Sequence, residues 1–357
     1  MTSISQRLVH DAEGHNTAAW PLRQKTLLTP TEEFFTRSHA ATPTLDPAAF
    51  RLEVDGLVEH PQRLSLDQLA VLPRHQVDAT LICAGLRRDE LLALGPLPGE
   101  LPWGPEPVST GRWAGCRLVD LLRQAGVRDR ARYVHFVGLD TVERNGERFG
   151  FGGSIDLAKA LEGDVLLASA LNGSPLEPDH GAPLRAVVPG WIGARSVKWL
   201  GRITLSLEPS PNYFQAKAYR VQRELNPADH RDVSAGTALS EIPLNAVMLE
   251  PTRDQPVPAG AVCLRGWAIG TGGAALTSVE VSPNAGADWQ PARITLAGTA
   301  WTWSLWEATV ELPRGRHVLA VRATDRTGAT MPATVAATWN VKGYANNTWH
   351  RVPVQAS

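Results

Sequence analysis

One cysteine of the three in this chain stands in a setting that could support chemistry. Cys83 closes the apolar run Ala79-Thr80-Leu81-Ile82 and is followed by Ala84-Gly85-Leu86-Arg87-Arg88. Neighbouring guanidinium groups lower a thiol pKa and favour the thiolate. A thiolate is a nucleophile and also a soft metal ligand. A cysteine at an apolar strand end is more often core filling. Taken alone, the position therefore reads as packing first, nucleophile second and metal ligand third. Cys116 and Cys263 lack such neighbours and read as packing residues. The three are too widely spaced for a disulfide framework, and there is no CxxC pair for zinc or CxxCH for haem.

The basic residues sharpen this reading. Arg37, Arg87, Arg88, Arg185, Arg195, Lys198 and Arg202 fall in three segments rich in glycine and proline. Singly, each reads as a solvated surface charge. Together, in loop and strand-end sequence, they suit an oxyanion or a phosphate, which planar guanidinium forks bind bidentately.

Two structural units must position these groups. A chain of 357 residues exceeds one ordinary core. From 31 to 235, short strands alternate with short helices. Phe50-Arg51-Leu52-Glu53-Val54 alternates as a strand before Asp55-Gly56, Ser65 caps a short helix, and Leu118 to Ala125 is a helix stopped by Gly126. Tyr133 to Gly138 and Leu184 to Val188 read as strands. Residues 209–240 have the character of a connection, and from 236 to 357 the pattern is wholly β. There, Val262–Ala268, Ser278–Ser282, Trp306–Leu312 and His317–Thr324 are separated by Gly, Pro and Asn turns, which points to an immunoglobulin-like sandwich. Trp301, Trp303 and Trp306 read as core and interface aromatics. Residues 1–30 are polar and read as an arm. The fold class expected is an α+β domain followed by an all-β sandwich. The net charge of −1 gives no footprint for nucleic acid or for an anionic membrane. The first residues lack an apolar signal core and a twin arginine, so the expected location is cytoplasmic, or periplasmic if a signal has been removed.

Longer motifs then come into view. Cys83-Ala84-Gly85-Leu86-Arg87-Arg88, Asp179-His180-Gly181-Ala182-Pro183-Leu184-Arg185 and Gly193-Ala194-Arg195-Ser196-Val197-Lys198-Trp199-Leu200 stand beside Phe34-Phe35-Thr36-Arg37-Ser38-His39. With the close Trp339-Asn340-Val341-Lys342-Gly343, these segments resemble the sulfite oxidase family of molybdopterin-dependent oxidoreductases from about residue 33 to 353. The resemblance implies a molybdopterin-binding domain, a C-terminal dimerisation domain and a homodimer. It implies Cys83 as the molybdenum ligand, and His39, Asp140, His180, Arg185, Ser196 and Lys198 as contacts of the molybdenum cofactor. It places Arg37, Arg88, Trp103, Tyr219 and Lys342 around a small oxyanion, sulfite being favoured. The implied reaction is oxidation of sulfite to sulfate by oxygen-atom transfer. No haem is expected in this chain, so electrons would pass to an external acceptor such as a cytochrome or dioxygen.

Three departures bear on the substrate. The family's motif asparagine is Leu86 here, and the acid before the pocket tyrosine is Ala218. Sulfite-oxidising members carry arginine where Lys342 stands, and assimilatory nitrate reductases carry methionine. Lysine keeps the charge but loses the planar fork. The competing readings are a reductase of nitrate or a sulfoxide on the same scaffold, and, from another class, a non-catalytic binding protein.

Overall fold

The computed structural model describes residues 7–9, 16–19, 26–222 and 236–357. Parts of the expected arm (1–6, 10–15, 20–25) and of the expected connection (223–235) lie outside the described residues. Of the arm, Thr17–Ala19 pairs with Arg7–Val9, Thr17 bridges Thr36, and Ala18 is buried in the cluster that contains Cys83.

Two sheets build the first half. In one, the order is Gly152–Asp156, Tyr133–Gly138, Leu200–Ser206, Leu52–Gly56 and Gln62–Leu64, with only the Leu200–Ser206 and Leu52–Gly56 pair parallel. In the other, Ser174–Pro175, Leu166–Leu171, Val108–Arg117 and Arg74–Ile82 are antiparallel neighbours, and Arg185–Val187 also pairs with Leu166–Leu171. Helices are few and short. Ser65 forms a full capping box with Gln68 on Leu66–Ala70. The amphipathic helix Leu118–Ala125 buries Leu118, Val119, Leu121, Leu122 and Ala125, and Gly126 closes it at φ 69°. Pairing with the Cys116 end of Val108–Arg117 keeps this sheet's core apolar, and Cys116 packs there, its thiol pushed up to about 11 by burial.

The second half is a sandwich of two sheets. One runs Asn245–Glu250, Gly260–Ile269, Ser304–Leu312, Arg293–Leu296. The other runs Pro256–Val257, His350–Ala356, Gly315–Asp325, Leu276–Ser282, Gln290–Pro291. Alternating side chains such as Val262, Leu264, Val310, Leu312, Leu319 and Val321 fill the space between them. The expected strands of this half all fall within observed ones. Cys263 points to the other face and is exposed.

The two halves share a core. Ile82, Ala84, Leu86 and Tyr219 pack with Trp267, Trp303 and Tyr344 in one cluster. Trp303 N donates to Thr80 Oγ1 at 2.9 Å, and Trp301 Nε1 donates to Asp164 Oδ2 at 2.8 Å. Polar groups lock the junction beneath the Cys83 loop. Arg87, fully buried, donates from Nε and Nη2 to the two oxygens of Glu90 at 2.7 and 2.8 Å, and from Nη1 to Asn245 Oδ1 and Thr348 O. Asn346 Nδ2 donates to Glu90 Oε2 at 3.0 Å and to Arg87 O at 2.9 Å. Burial would raise the Glu90 carboxyl, but Arg87, His350 and these hydrogen bonds outweigh it and hold the pKa below the usual range.

Removing one partner of a buried charge pair leaves the other uncompensated. Glu90→Ala is therefore expected to cost about 3–5 kcal/mol, read as a lower denaturant midpoint. A midpoint within experimental error of the parent would show that this network does not hold the junction.

Candidate active site

The strand Arg74–Ile82 delivers Cys83 to a tight turn at the sheet edge. Cys83 N donates to Pro107 O at 3.0 Å, Leu86 N donates to Cys83 O at 3.0 Å, and Gly85 N donates to Cys83 Sγ at 3.4 Å. Arg87 then takes φ 58°, a left-handed conformation held by its buried partners. Cys83 is buried and lines a cleft.

Four separate segments line that cleft. They contribute Arg37 and His39, then Cys83, then Asp140, then His180, Arg185, Ser196 and Lys198, with Tyr219 closing one side. Nine of the twelve residues singled out from sequence thus share one cavity. Arg88, Trp103 and Lys342 do not line it. Trp103 is fully buried in the apolar cluster that includes Phe34, Phe35 and Cys83. Arg88 is buried behind Tyr344, and Lys342 borders a separate open groove with Lys217, Tyr213 and Phe149. Ser38 and Phe151 also line the cleft. Ser38 could have been found as the polar residue between Arg37 and His39, whereas Phe151 carries no local signal.

The hydrogen bonds fix a proton arrangement on the Tyr219 side. Arg37 Nη2 can only donate, so its 3.3 Å contact makes His39 Nδ1 the acceptor. The proton of the neutral ring then sits on Nε2, which donates to Tyr219 Oη at 2.8 Å. Burial first, and then Arg37, hold the His39 pKa well below its usual value, consistent with that neutral ring. Tyr219 is pushed up to about 12 by burial and stays protonated, so its own O–H remains available to donate into the cleft. Arg37 also donates to Asn16 Oδ1 at 2.9 Å and to Ser38 O.

The 180–198 segment adds cations to the lining. Arg185 is 5% exposed, lies over the Trp113 ring, and donates to His180 O at 2.9 Å and Ser196 O at 3.0 Å. Its Nε is buried and has no partner among the described residues, and no carboxylate lies within ion-pair distance there. Burial pushes it down to about 9. Lys198 donates to Ser38 Oγ at 2.6 Å and Asp179 O at 2.9 Å, and burial followed by Arg185 brings it down to about 7. His180 donates from Nε2 to Thr31 O at 3.3 Å and is lowered to about 4, mainly by burial. Asp140 accepts from Phe151 N at 2.9 Å and is raised by burial. Gly181 allows this wall to close: at φ 102° a Cβ would meet Lys198 Cβ at 3.0 Å and Arg185 Cβ at 3.1 Å. Two desolvated cations side by side, with Arg185 Nε unpartnered, call for an anion with several acceptor oxygens, such as a phosphate. Across the cleft stands a thiol suited to a soft metal. This donor set fits a metal-bearing, phosphorylated cofactor.

Residues 39–214 match the oxidoreductase molybdopterin binding domain, and residues 236–357 match the Mo-co oxidoreductase dimerisation domain. The class is therefore a molybdopterin-binding oxidoreductase. The chain is 39% identical over 345 residues to mitochondrial sulfite oxidase of Rattus norvegicus, covering 94% of this chain and 62% of that protein. It spans less than two thirds of that relative. It is 32% identical to sulfite oxidase of Arabidopsis thaliana, covering 91% of this chain and 87% of that one. The sulfane dehydrogenase SoxCD of Paracoccus pantotrophus superposes with TM-score 0.80 at 25% identity, covering 95% of this chain and 84% of that one. The chain belongs to the sulfite oxidase family of molybdopterin-dependent oxidoreductases and is an enzyme of that type.

The lowered Lys198 pKa has a sign that can be checked in cofactor-free protein. Burial brings the folded amine down to about 7 from the 10.5 of a solvated lysine, which the unfolded chain keeps. Between these values the unfolded chain binds more protons, so stability rises with pH across that window. Lys198→Met is expected to flatten the rise, measured by denaturant unfolding from pH 6 to about 10. An equal slope in both proteins would show that Lys198 is not desolvated.

Proposed function

We propose that this enzyme oxidises sulfite to sulfate and passes the electrons to an external acceptor. The observation that supports it best is the convergence of the Cys83 thiol with Arg185, Lys198 and His180 around one cleft, with Arg185 Nε left without a partner. On this reading Cys83 holds molybdenum, and the pterin and its phosphate lie along His39, Asp140, His180, Arg185, Ser196 and Lys198. Bound there, molybdenum would supply oxygen-atom transfer and two-electron redox chemistry, with water as the ultimate source of the oxygen and the external acceptor taking the two electrons.

The chain's own residues do the rest. Arg37 contributes a cation at the lining, and Tyr219 offers a hydroxyl proton to an oxyanion because His39 Nε2–H occupies its lone pair. Such fixed donors stabilise charge without reorganising during transfer. The apolar ring wall of Phe151 and Phe214, stacked on His39 at 5.4 and 4.2 Å, limits water on that side. The C-terminal domain supplies a twofold dimer contact, measurable by sedimentation equilibrium.

The test compares wild type and Cys83→Ser made in a host that synthesises the cofactor. Wild type should reduce ferricyanide in a sulfite-dependent reaction. Cys83→Ser should lose that activity while its unfolding free energy stays within about 1 kcal/mol. Activity retained by Cys83→Ser would overturn the ligand assignment. Turnover of nitrate with reduced viologen, with none of sulfite, would overturn the substrate.

A further inference from the structure

Arg88 and Lys342 are held by one carboxylate that lies in none of the motifs. Glu100 sits in the loop that follows the turn Arg88–Leu91 and precedes Trp103. Its Oε2 is 3.2 Å from Arg88 Nη2, and its Oε1 accepts from Lys342 Nζ at 3.2 Å. Backbone carbonyls hold the rest of Arg88. Its Nε donates to Lys342 O at 3.0 Å and Gly343 O at 3.2 Å, and Nη1 donates to Leu101 O at 2.8 Å. Every nitrogen of this guanidinium therefore has an acceptor. Gly85 makes room for it, since a Cβ there would stand 2.6 Å from the guanidinium carbon.

The cluster is close to the cleft without lining it. The guanidinium carbon of Arg88 lies 5.2 Å from the centre of the Tyr344 ring, and that ring stacks on Tyr219 at 5.3 Å and 14°. Tyr219 lines the cleft, so two stacked rings, Tyr344 and Tyr219, stand between the Arg88 guanidinium and it. The side chains of Arg88 and Glu100 are 4% and 14% exposed. Arg88 and Glu100 thus act on a neighbouring anion through protein more than through solvent, whereas Lys342, its side chain 32% exposed, is partly screened. Two cations and one carboxylate sum to +1, where the cations alone would give +2.

We propose that Glu100 is a positioning residue that sets anion selectivity: by holding Arg88 and Lys342 it halves the positive charge behind Tyr219 and curbs the preference for a doubly charged oxyanion over a singly charged one. This inference rests on the cleft being the oxyanion site. It also gives Lys342 a role that its separation from the lining left open, since the amine is one member of a three-charge unit.

The experiment is isothermal titration calorimetry of sulfate and of nitrate into molybdenum-loaded wild type and E100Q at fixed ionic strength. Because a Coulombic effect scales with ligand charge, sulfate should tighten about tenfold in E100Q and nitrate about threefold. Equal changes for the two anions, no change, or weaker sulfate binding would overturn the proposal. K342Q, which removes a positive charge, should shift the ratio the other way. It carries the test alone should E100Q not fold, and an unchanged ratio in folded K342Q would overturn the proposal as well. Neither titration requires turnover. Loss of the sulfite reading would show in the ferricyanide assay, and loss of the Glu100 inference would show only in the anion ratio.

Discussion

A guanidinium buried without a carboxylate is the constraint on which this structure turns. Arg185 is desolvated, stacked on Trp113 and satisfied only by backbone carbonyls, and Lys198 shares the same wall. Holding two like charges together out of water is costly unless an anion joins them. The surrounding elements accept that cost by giving these cations rigid supports. Arg185–Val187 is paired into a sheet, Gly181 removes the side chain that would block closure, and Trp199 takes φ 51° with its Nε1 anchored to Pro178 O. These pairings and hydrogen bonds set the donors in place before any anion is bound by them, the arrangement that preorganised electrostatic stabilisation requires.

The Cys83 side is held from the other half of the chain. The turn after Cys83 depends on Arg87, and Arg87 depends on Glu90, Asn245, Asn346 and Thr348. The C-terminal sandwich is therefore more than a contact module: it fixes the loop that presents the thiol. Tyr219, also at positive φ, is pinned between His39 and Tyr344, so both walls of the cleft lean on the junction.

Much of this was legible in sequence. Cys83, Arg185 and Lys198 drew attention as reactive and charged residues in glycine- and proline-rich segments, but read alone Cys83 was core packing and each cation a surface charge; their grouping, with His180, came from the longer motifs and the family resemblance those carry. The sandwich was readable from period-two alternation between turns, and Leu118–Ala125 from its apolar stripe and terminal glycine. Contacts that depend on distant packing were not. Glu100 meets Lys342 across 242 positions, and Arg87 meets Thr348 across 261. No local pattern marks an acid for such a partner. Trp103, read as a pocket residue, lies in the apolar cluster behind Cys83, and nothing in Leu101-Pro102-Trp103 distinguishes those two positions. Arg88 and Lys342 looked like free cations because charge alone does not reveal the carboxylate that neutralises it.

On the proposed function, Arg185 and Lys198 hold the phosphate of a molybdenum cofactor whose metal Cys83 binds. The most direct measurement is the molybdenum and pterin content per chain of wild type and Arg185→Met, both purified from a cofactor-synthesising host. The account predicts about one of each per wild-type chain and a loss of both in folded Arg185→Met, because the buried donors of Arg185 would be gone. Wild type without molybdenum, or full cofactor content in Arg185→Met, would contradict it.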